Sequence, residues 1–448
     1  MIDWAILKQL FATISASLTI FIAGCWLGWP SVTTEKLLNN QTDFNITYRQ
    51  LSWIISIMDI GNILSPVPTG FMMDWFGRKT TIAALGPMYT ATWMLPLMVN
   101  QVWALYLARF LAGIGKGIAY TAVPIFLGEI AEVKIRGALS SVFAIQQCGG
   151  VLFETIIGSY VTYTNLNIIS VTVPVLFFIM FIWVPESPYF LLKKGRRDEA
   201  AQCLRWYKSG DDSELQEMEQ TVKNDMQNKG TYLELLSNPK NLTAISIIAT
   251  ANIAQRAGGV SCLLAYSSLM LPEPAPIGQK SDYIILFGVL LTAISFVGMA
   301  LVDKIGRKPL LILSEVSLGV FMFINGLYFY IRCYTADMTN YNWIPYLCYE
   351  SYAFMFAMGL GFVPVVFLGE MLPVNVRSHG SALMSIVLAF SSFVSNKSFL
   401  FLSYGYGFYV MFFVFAAVNF ICALLAYLFS FETKGKTFAE IQSILKKH

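Results

Sequence analysis

Apolar runs separated by short polar turns recur along the whole chain, and their length sets the first expectation. A helix needs about 20 residues to cross a hydrocarbon core of ~30 Å. Runs near 8–29, 51–72, 80–99, 104–124, 138–160 and 167–185 predict six such helices. A polar stretch rich in Lys, Arg, Asp and Glu follows at 186–240, then six more runs near 242–270, 283–302, 309–331, 344–369, 379–402 and 407–430. Gly and Pro interrupt several of them, which membrane helices tolerate because neighbours re-satisfy the freed backbone groups. The 8–29 run lacks a small-residue cleavage site and further spans follow it, so it reads as the first helix and not as a signal peptide. The predicted fold is an all-α membrane protein with twelve transmembrane helices in two six-helix bundles, 1–185 and 241–430. A helical linker at 186–240 joins them, and 431–448 forms a tail.

Composition removes the soluble alternative. Hydrophobic residues make up 56% of the 448 and charged residues 13%, whereas soluble domains carry about 25% charged residues. The net charge of +3 is modest, but its placement is not. Arg78, Lys79, Lys134, Arg136, Lys304, Arg307, Lys308 and Arg377 fall in loops on one side, against Lys36, Arg49, Lys280 and Arg332 on the other. The positive-inside rule then places both termini and 186–240 in the cytoplasm. The first outer loop carries two N-x-Thr sequons, at Asn40 and Asn45, which are candidate glycosylation sites.

The two halves repeat one another. "DWFGRK" (74–79) recurs as "DKIGRK" (303–308), and Glu129/Arg136 recur at the same spacing of seven as Glu370/Arg377. An Asp at one helix end and an Arg at the start of the next can pair and also complement helix dipoles. Asp74, Arg78, Glu129, Arg136, Asp303, Arg307, Glu370 and Arg377 are therefore expected to form a clamp. It would hold the bundles together on the inner side and break when they part. A parallel repeat of this kind places substrate near the midplane between the halves.

"PESPYFLLKKGR" (185–196), "RFLAGIGKG" (109–117) and "FETKGKTFAEI" (431–441), together with the repeats, resemble the sugar-porter branch of the major facilitator superfamily. "LGWPS" (27–31) and "SWIISIM" (52–58) are similar to its insect facilitated trehalose transporters. The resemblance implies a twelve-helix carrier that moves a sugar by facilitated diffusion, and it adds Glu186 to the clamp. It also implies where the sugar would sit. The helix 7 Gln-Gln pair of the family aligns with Gln255-Arg256 and its Asn with Ser261. The helix 10 tryptophan aligns with Val365, and the helix 5 glutamine with Ala144, beside Gln146 and Gln147. In helix 11, Asn396 fits, while the neighbouring Asn and Trp positions are Ser392 and Phe393. Candidate substrate residues are thus Gln146, Gln255, Arg256, Ser261, Ser392 and Asn396.

Such a site discriminates because unpaired buried polar groups are costly, so losing two amides and a stacking ring weakens or redirects hexose binding. Trehalose or glucose, another polar solute (a polyol, a glycoside, an anionic sugar derivative), and a weakly transporting sensor all remain open. Proton-linked relatives carry an acid where this chain has Pro30, which favours uniport; Asp59 and Glu154 keep a proton-coupled symporter in play. An unpaired arginine in a membrane costs at least ~2.5 kcal/mol. Arg256 is therefore expected to pair with Asp59 or Glu154, or else to await an anionic substrate.

Enzyme chemistry finds no foothold, since the two histidines, His379 and His448, stand alone and the glycine-bearing "GIGKG" reads as close helix packing. No catalytic residue, metal, cofactor or nucleic acid is expected. The expected partners are a small polar solute and the lipid bilayer, with the protein a monomer. Of the seven cysteines, Cys333 and Cys348 flank one outer loop and could form a disulfide.

Overall fold

The computed structural model describes residues 4–39, 42, 46–130, 136–208, 212–227, 230–334, 337–436 and 438–445. Asn40 and Asn45 lie outside this set, as do the side chains of Arg136 and Asp303. Among the described residues, eight helices are long and apolar enough to cross a membrane, nine if the bent pair Tyr48–Leu64 and Pro66–Phe76 is one span. Three further units at the predicted places complete twelve. These are Arg78–Ala83 with Leu85–Met98, Arg136–Tyr160, and Pro239–Ala257 with Val260–Met270. The first and last are broken helices, and the middle one carries Gln146, Gln147 and Glu154. We number the spans 1 to 12 in chain order.

Local chemistry accounts for the ends and breaks. Span 2 starts with a capping box, in which the Thr47 hydroxyl accepts from the Gln50 amide and the Gln50 side chain accepts from Thr47 N. Span 7 starts at Pro239 with Asn238 as its cap. Its predicted continuity fails at Gly258-Gly259, where Gly259 takes φ +122° and the first half-helix ends one residue after Arg256. The Gly258 carbonyl released by that break accepts from Asn419 Nδ2 (2.8 Å) and Tyr352 Oη (3.1 Å). Span 10 loosens into a π turn at Phe356–Leu360 before resuming at Val363–Met371.

Among the described residues the linker forms four helices, Pro188–Lys193, Arg197–Tyr207, Asp212–Gln227 and Tyr232–Ser237, and the tail forms Phe438–Leu445. Span 1 packs on span 5 and span 2 on span 4, while spans 9 and 12 pair in the second half. Across the halves, span 1 meets span 7, span 2 meets span 11 and span 5 meets span 8. At the end away from the linker, Tyr48 and Tyr404 rings lie 4.2 Å apart and Lys397 Nζ sits 3.7 Å from the Trp53 ring. There Lys280 also lies 3.9 Å from Glu35. Cys333 and Cys348 are both free thiols, so the disulfide considered above is not formed: one is exposed and the other buried.

Candidate functional site

The centre is built where spans 2 and 4 approach backbone to backbone. A side chain at Gly113 would put its Cβ 1.9 Å from the Met58 carbonyl oxygen, so only glycine permits that approach. The contact brings Asp59 of span 2 and Lys116 of span 4 close enough for their charges to act on each other. A small cavity of about 20 Å³ lies beside them, bordered by Asp59, Arg109, Arg256, Ser261, Ser392 and Asn396. It has room for one water-sized body.

Asp59 bridges the halves. Its Oδ2 accepts from Ser392 Oγ at 2.9 Å and from Asn396 Nδ2 at 3.0 Å, both on span 11. The Ser261 and Ser392 hydroxyls are 3.1 Å apart, which extends the chain of contacts to span 7. Arg109 is a structural tie. It donates to the main-chain carbonyls of Trp26, Ile54 and Ile55 and lies over the Trp26 and Trp29 rings.

Arg256 differs from both. It is 8% exposed, its Nε is buried without a partner, and no carboxylate lies within 4 Å of it among the described residues. The structure thus brings Asp59 and Arg256 into one cavity but does not join them as the ion pair expected above, because neutral donors from span 11 occupy the carboxylate. Glu154 is turned away. Its Oε2 accepts from Ser170 of span 6 at 2.9 Å, and it is fully buried. A position in the last turn of a half-helix gives Arg256 a dipole interaction of roughly 0.3–1 kcal/mol. Burying an ion costs several kcal/mol, so the dipole does not offset it.

The remaining substrate candidates divide. Gln255 Nε2 is committed to the Leu360 and Gly361 carbonyls (2.9 and 2.8 Å), where it satisfies the π turn of span 10. Gln146 is half-buried on span 5 and does not border this cavity.

At the linker end the repeats form two clusters. In the first, Arg78 meets Glu129 (Nη2–Oε1 2.9 Å, Nε–Oε1 3.0 Å), and Asp74 lies 3.7 Å from Arg78 and 2.6 Å from Lys193. Glu186 accepts from the backbone amides of Arg78 (3.1 Å), Lys79 (2.9 Å) and Ser187 (2.8 Å). In the second, Arg307 meets Glu370 at 2.9 Å, and Glu432 accepts from the amides of Arg307 (3.0 Å) and Lys308 (3.1 Å). Both arginines follow a glycine of positive φ, Gly77 (+99°) and Gly306 (+111°), and a Cβ there would meet the Glu186 or Glu432 carboxylate within 2.5 Å. Among the described residues, each ion pair of these two clusters stays within its own half and its linker or tail, so none of these pairs joins the two bundles directly in the way the clamp reading expected. Arg377 donates to the Leu372 carbonyl in its own half.

Glu432 is the member that the sequence reading missed. The signal was present: "PES" (185–187) and "FET" (431–433) each place a Glu and a hydroxyl residue after an even-numbered span. Arg109 was also passed over as a site member, because a motif match alone does not show that it borders the cavity.

Comparison with known proteins agrees with this architecture. The chain is 28% identical over 447 residues to the facilitated trehalose transporter Tret1 of Drosophila erecta, covering 97% of this chain and 52% of that protein. It is 29% identical over 443 residues to the Tret1 of Drosophila mojavensis, covering 97% and 51%. It therefore spans about half the length of these curated relatives. Its fold is similar to that of the xylose transporter XylE from E. coli in a partially occluded inward-open conformation. The TM-score there is 0.78 at 21% identity, covering 96% of this chain and 99% of the other. The family model described as "Sugar (and other) transporter" matches residues 12–445, and the chain belongs to that family.

Proposed function

We propose that the protein carries a sugar, or a hydroxylated solute of similar size, down its gradient across the plasma membrane by alternating access. The observation that carries this reading is the contact of Asp59 with Ser392 and Asn396, which joins the two halves at the centre of the molecule. A carrier that alternates must make such a contact in one state and break it in the other. Residues 1–185 and 241–430 are the moving bundles, with 186–240 and both termini in the cytoplasm and Asn40 and Asn45 glycosylated outside. Arg256, Ser261, Ser392 and Asn396 face the solute, with Gln146 joining in a more open state. Gln255 instead holds the bend of span 10.

The two glutamate–arginine clusters act as gating elements. Each fixes an even–odd helix turn, and the first also fixes the linker, so the bundles move as units. With Pro30 in place of the helix 1 acid, transport is uncoupled from protons. The test is counterflow of labelled trehalose and glucose by the full chain in liposomes. Exchange indifferent to a protonophore supports uniport. Accumulation driven by an inward proton gradient would overturn it and assign proton transfer to Asp59 or Glu154.

A further inference from the structure

The centre holds more positive than negative charge. Asp59 is the carboxylate bordering the cavity, whereas span 4 supplies Arg109 and Lys116 and span 7 supplies Arg256. Span 1 contributes Leu27 and Pro30, and span 11 contributes Ser392 and Asn396, all neutral. Glu154 faces Ser170 and lies outside the set. Arg109 spends donors on all three of its nitrogens, to the carbonyls of Trp26, Ile54 and Ile55, and lies over two indole faces, so it is held as a structural tie. Asp59 already accepts two hydrogen bonds. Arg256 is left more than nine-tenths buried, bordering the cavity with a planar fork of donors and no acceptor among the described residues. That fork matches a carboxylate bidentately. Buried charges of this kind are ordinarily compensated by an opposite charge.

Resting on the transport reading above, we infer that the solute is an anion: a hydroxylated monocarboxylate of sugar size, such as a hexuronate, whose carboxylate sits on Arg256. Lys116 adds its charge from the side of span 4. The hydroxyls of Ser261 and Ser392 meet the solute's ring hydroxyls when the Asp59 contact opens. A neutral hexose would leave the guanidinium uncompensated and bind more weakly.

The test uses the purified full chain. Thermal stabilisation is measured with D-glucuronate, D-glucose and chloride, and uptake of the labelled sugars is followed in liposomes. D-Glucuronate is expected to stabilise and to be carried better than D-glucose. Arg256→Gln should weaken glucuronate binding by about 30-fold relative to glucose binding, and Arg256→Lys should retain part of it. If Arg256→Gln does not fold, the wild-type comparison and Arg256→Lys decide. Glucose or trehalose carried while glucuronate neither binds nor moves would overturn the inference and leave the transport reading standing. Chloride binding that depends on Arg256, without glucuronate binding, would reduce the site to a counter-ion site and also overturn it. Glucuronate binding unchanged in Arg256→Gln would remove the assigned residue. Glucuronate bound but no solute carried would sink the transport reading and keep the anion site.

Discussion

The two linker-end clusters begin from one design and end differently. In both, a positive-φ glycine turns the chain and a glutamate from beyond the sixth or twelfth span accepts the two following amides. In both, the first arginine meets a glutamate of the fourth or tenth span. The first half then closes its circuit, because Ser187 Oγ donates to the second oxygen of Glu129 and Lys193 reaches Asp74 from a linker helix. In the second half the hydroxyl and the glutamate at the matching positions do not meet among the described residues. Glu370 Oε2 and the buried Thr433 Oγ1 each lack a hydrogen-bond partner among the described residues. The Glu370 side chain is also 29% exposed, against 13% for Glu129. Duplication has kept the backbone device and let the side-chain circuit diverge, which makes the first cluster the stronger element and ties it to the linker.

Removing the arginine should expose this difference most. Arg78→Ala leaves Glu129 without its cation, and breaking a largely buried pair costs about 3–5 kcal/mol. Arg307→Ala should cost less, about 1–3 kcal/mol, because Glu370 can turn to water. Both variants are expected at the membrane with slowed exchange, Arg78→Ala the slower and the less heat-stable in detergent. Equal losses would show that the open circuit around Glu370 has no energetic meaning.

The shared turn offers the opposite check. Gly77→Ala and Gly306→Ala each force an L-residue into positive φ with extended ψ, at roughly 1–3 kcal/mol, and push a carboxylate off the amides that donate to it. These two substitutions should cost nearly the same, since the geometry is the same in both halves. A large inequality in thermal midpoint would mean that the second turn is not built as the first.

The hydroxyl pair should give a smaller and one-sided effect. Ser187→Ala removes a donor to Glu129 and is expected to cost about 1–2 kcal/mol. Thr433→Val replaces a buried hydroxyl that has no partner with a methyl of similar shape. It should be neutral or slightly stabilising in thermal melts. Destabilisation by Thr433→Val matching that of Ser187→Ala would assign Thr433 a partner in another conformation.

How much of this could be read beforehand differs by region for physical reasons. The spans were legible because membrane thickness fixes apolar length, and the clusters because "GRK" and the seven-residue spacing recur. What the repeat could not show is which oxygens meet. Ser187 and Thr433 stand at matching positions, yet one donates and the other does not. At the centre, alignment singled out Arg256, Ser261, Ser392 and Asn396, and all four border the cavity. It could not show that Gln255 is taken up by the π turn of span 10, nor that Asp59 faces span 11 and not Arg256. Those outcomes depend on where helices break, and the break at Gly258-Gly259 aims each residue of span 7 differently from a straight helix.

The finest separation between the clusters lies in pH. Burial pushes the Glu186 carboxyl up from its ordinary range, and the amides of Lys79 and Ser187 and the Arg78 guanidinium offset only part of that. A carboxyl with a raised folded-state value holds its proton in the folded protein when the unfolded chain has already lost it. Stability therefore falls as pH rises through that interval, because the unfolded state then binds fewer protons than the folded one. The Glu186 contribution is fully present below the ordinary carboxylate value and is lost as pH climbs through the raised one. Glu186→Gln fixes the neutral form and should abolish this slope, at the cost of a weaker acceptor for the amides of Arg78 and Lys79. The stability difference between wild type and Glu186→Gln, from melts of the detergent-purified protein between about pH 4 and pH 7, should thus shrink as pH increases. Because Arg78 is one of the groups holding the carboxyl down, Arg78→Ala should push the value higher and move the window of falling stability upward. A difference independent of pH would show that Glu186 is fully ionised throughout and that its amide contacts, not its burial, set its charge.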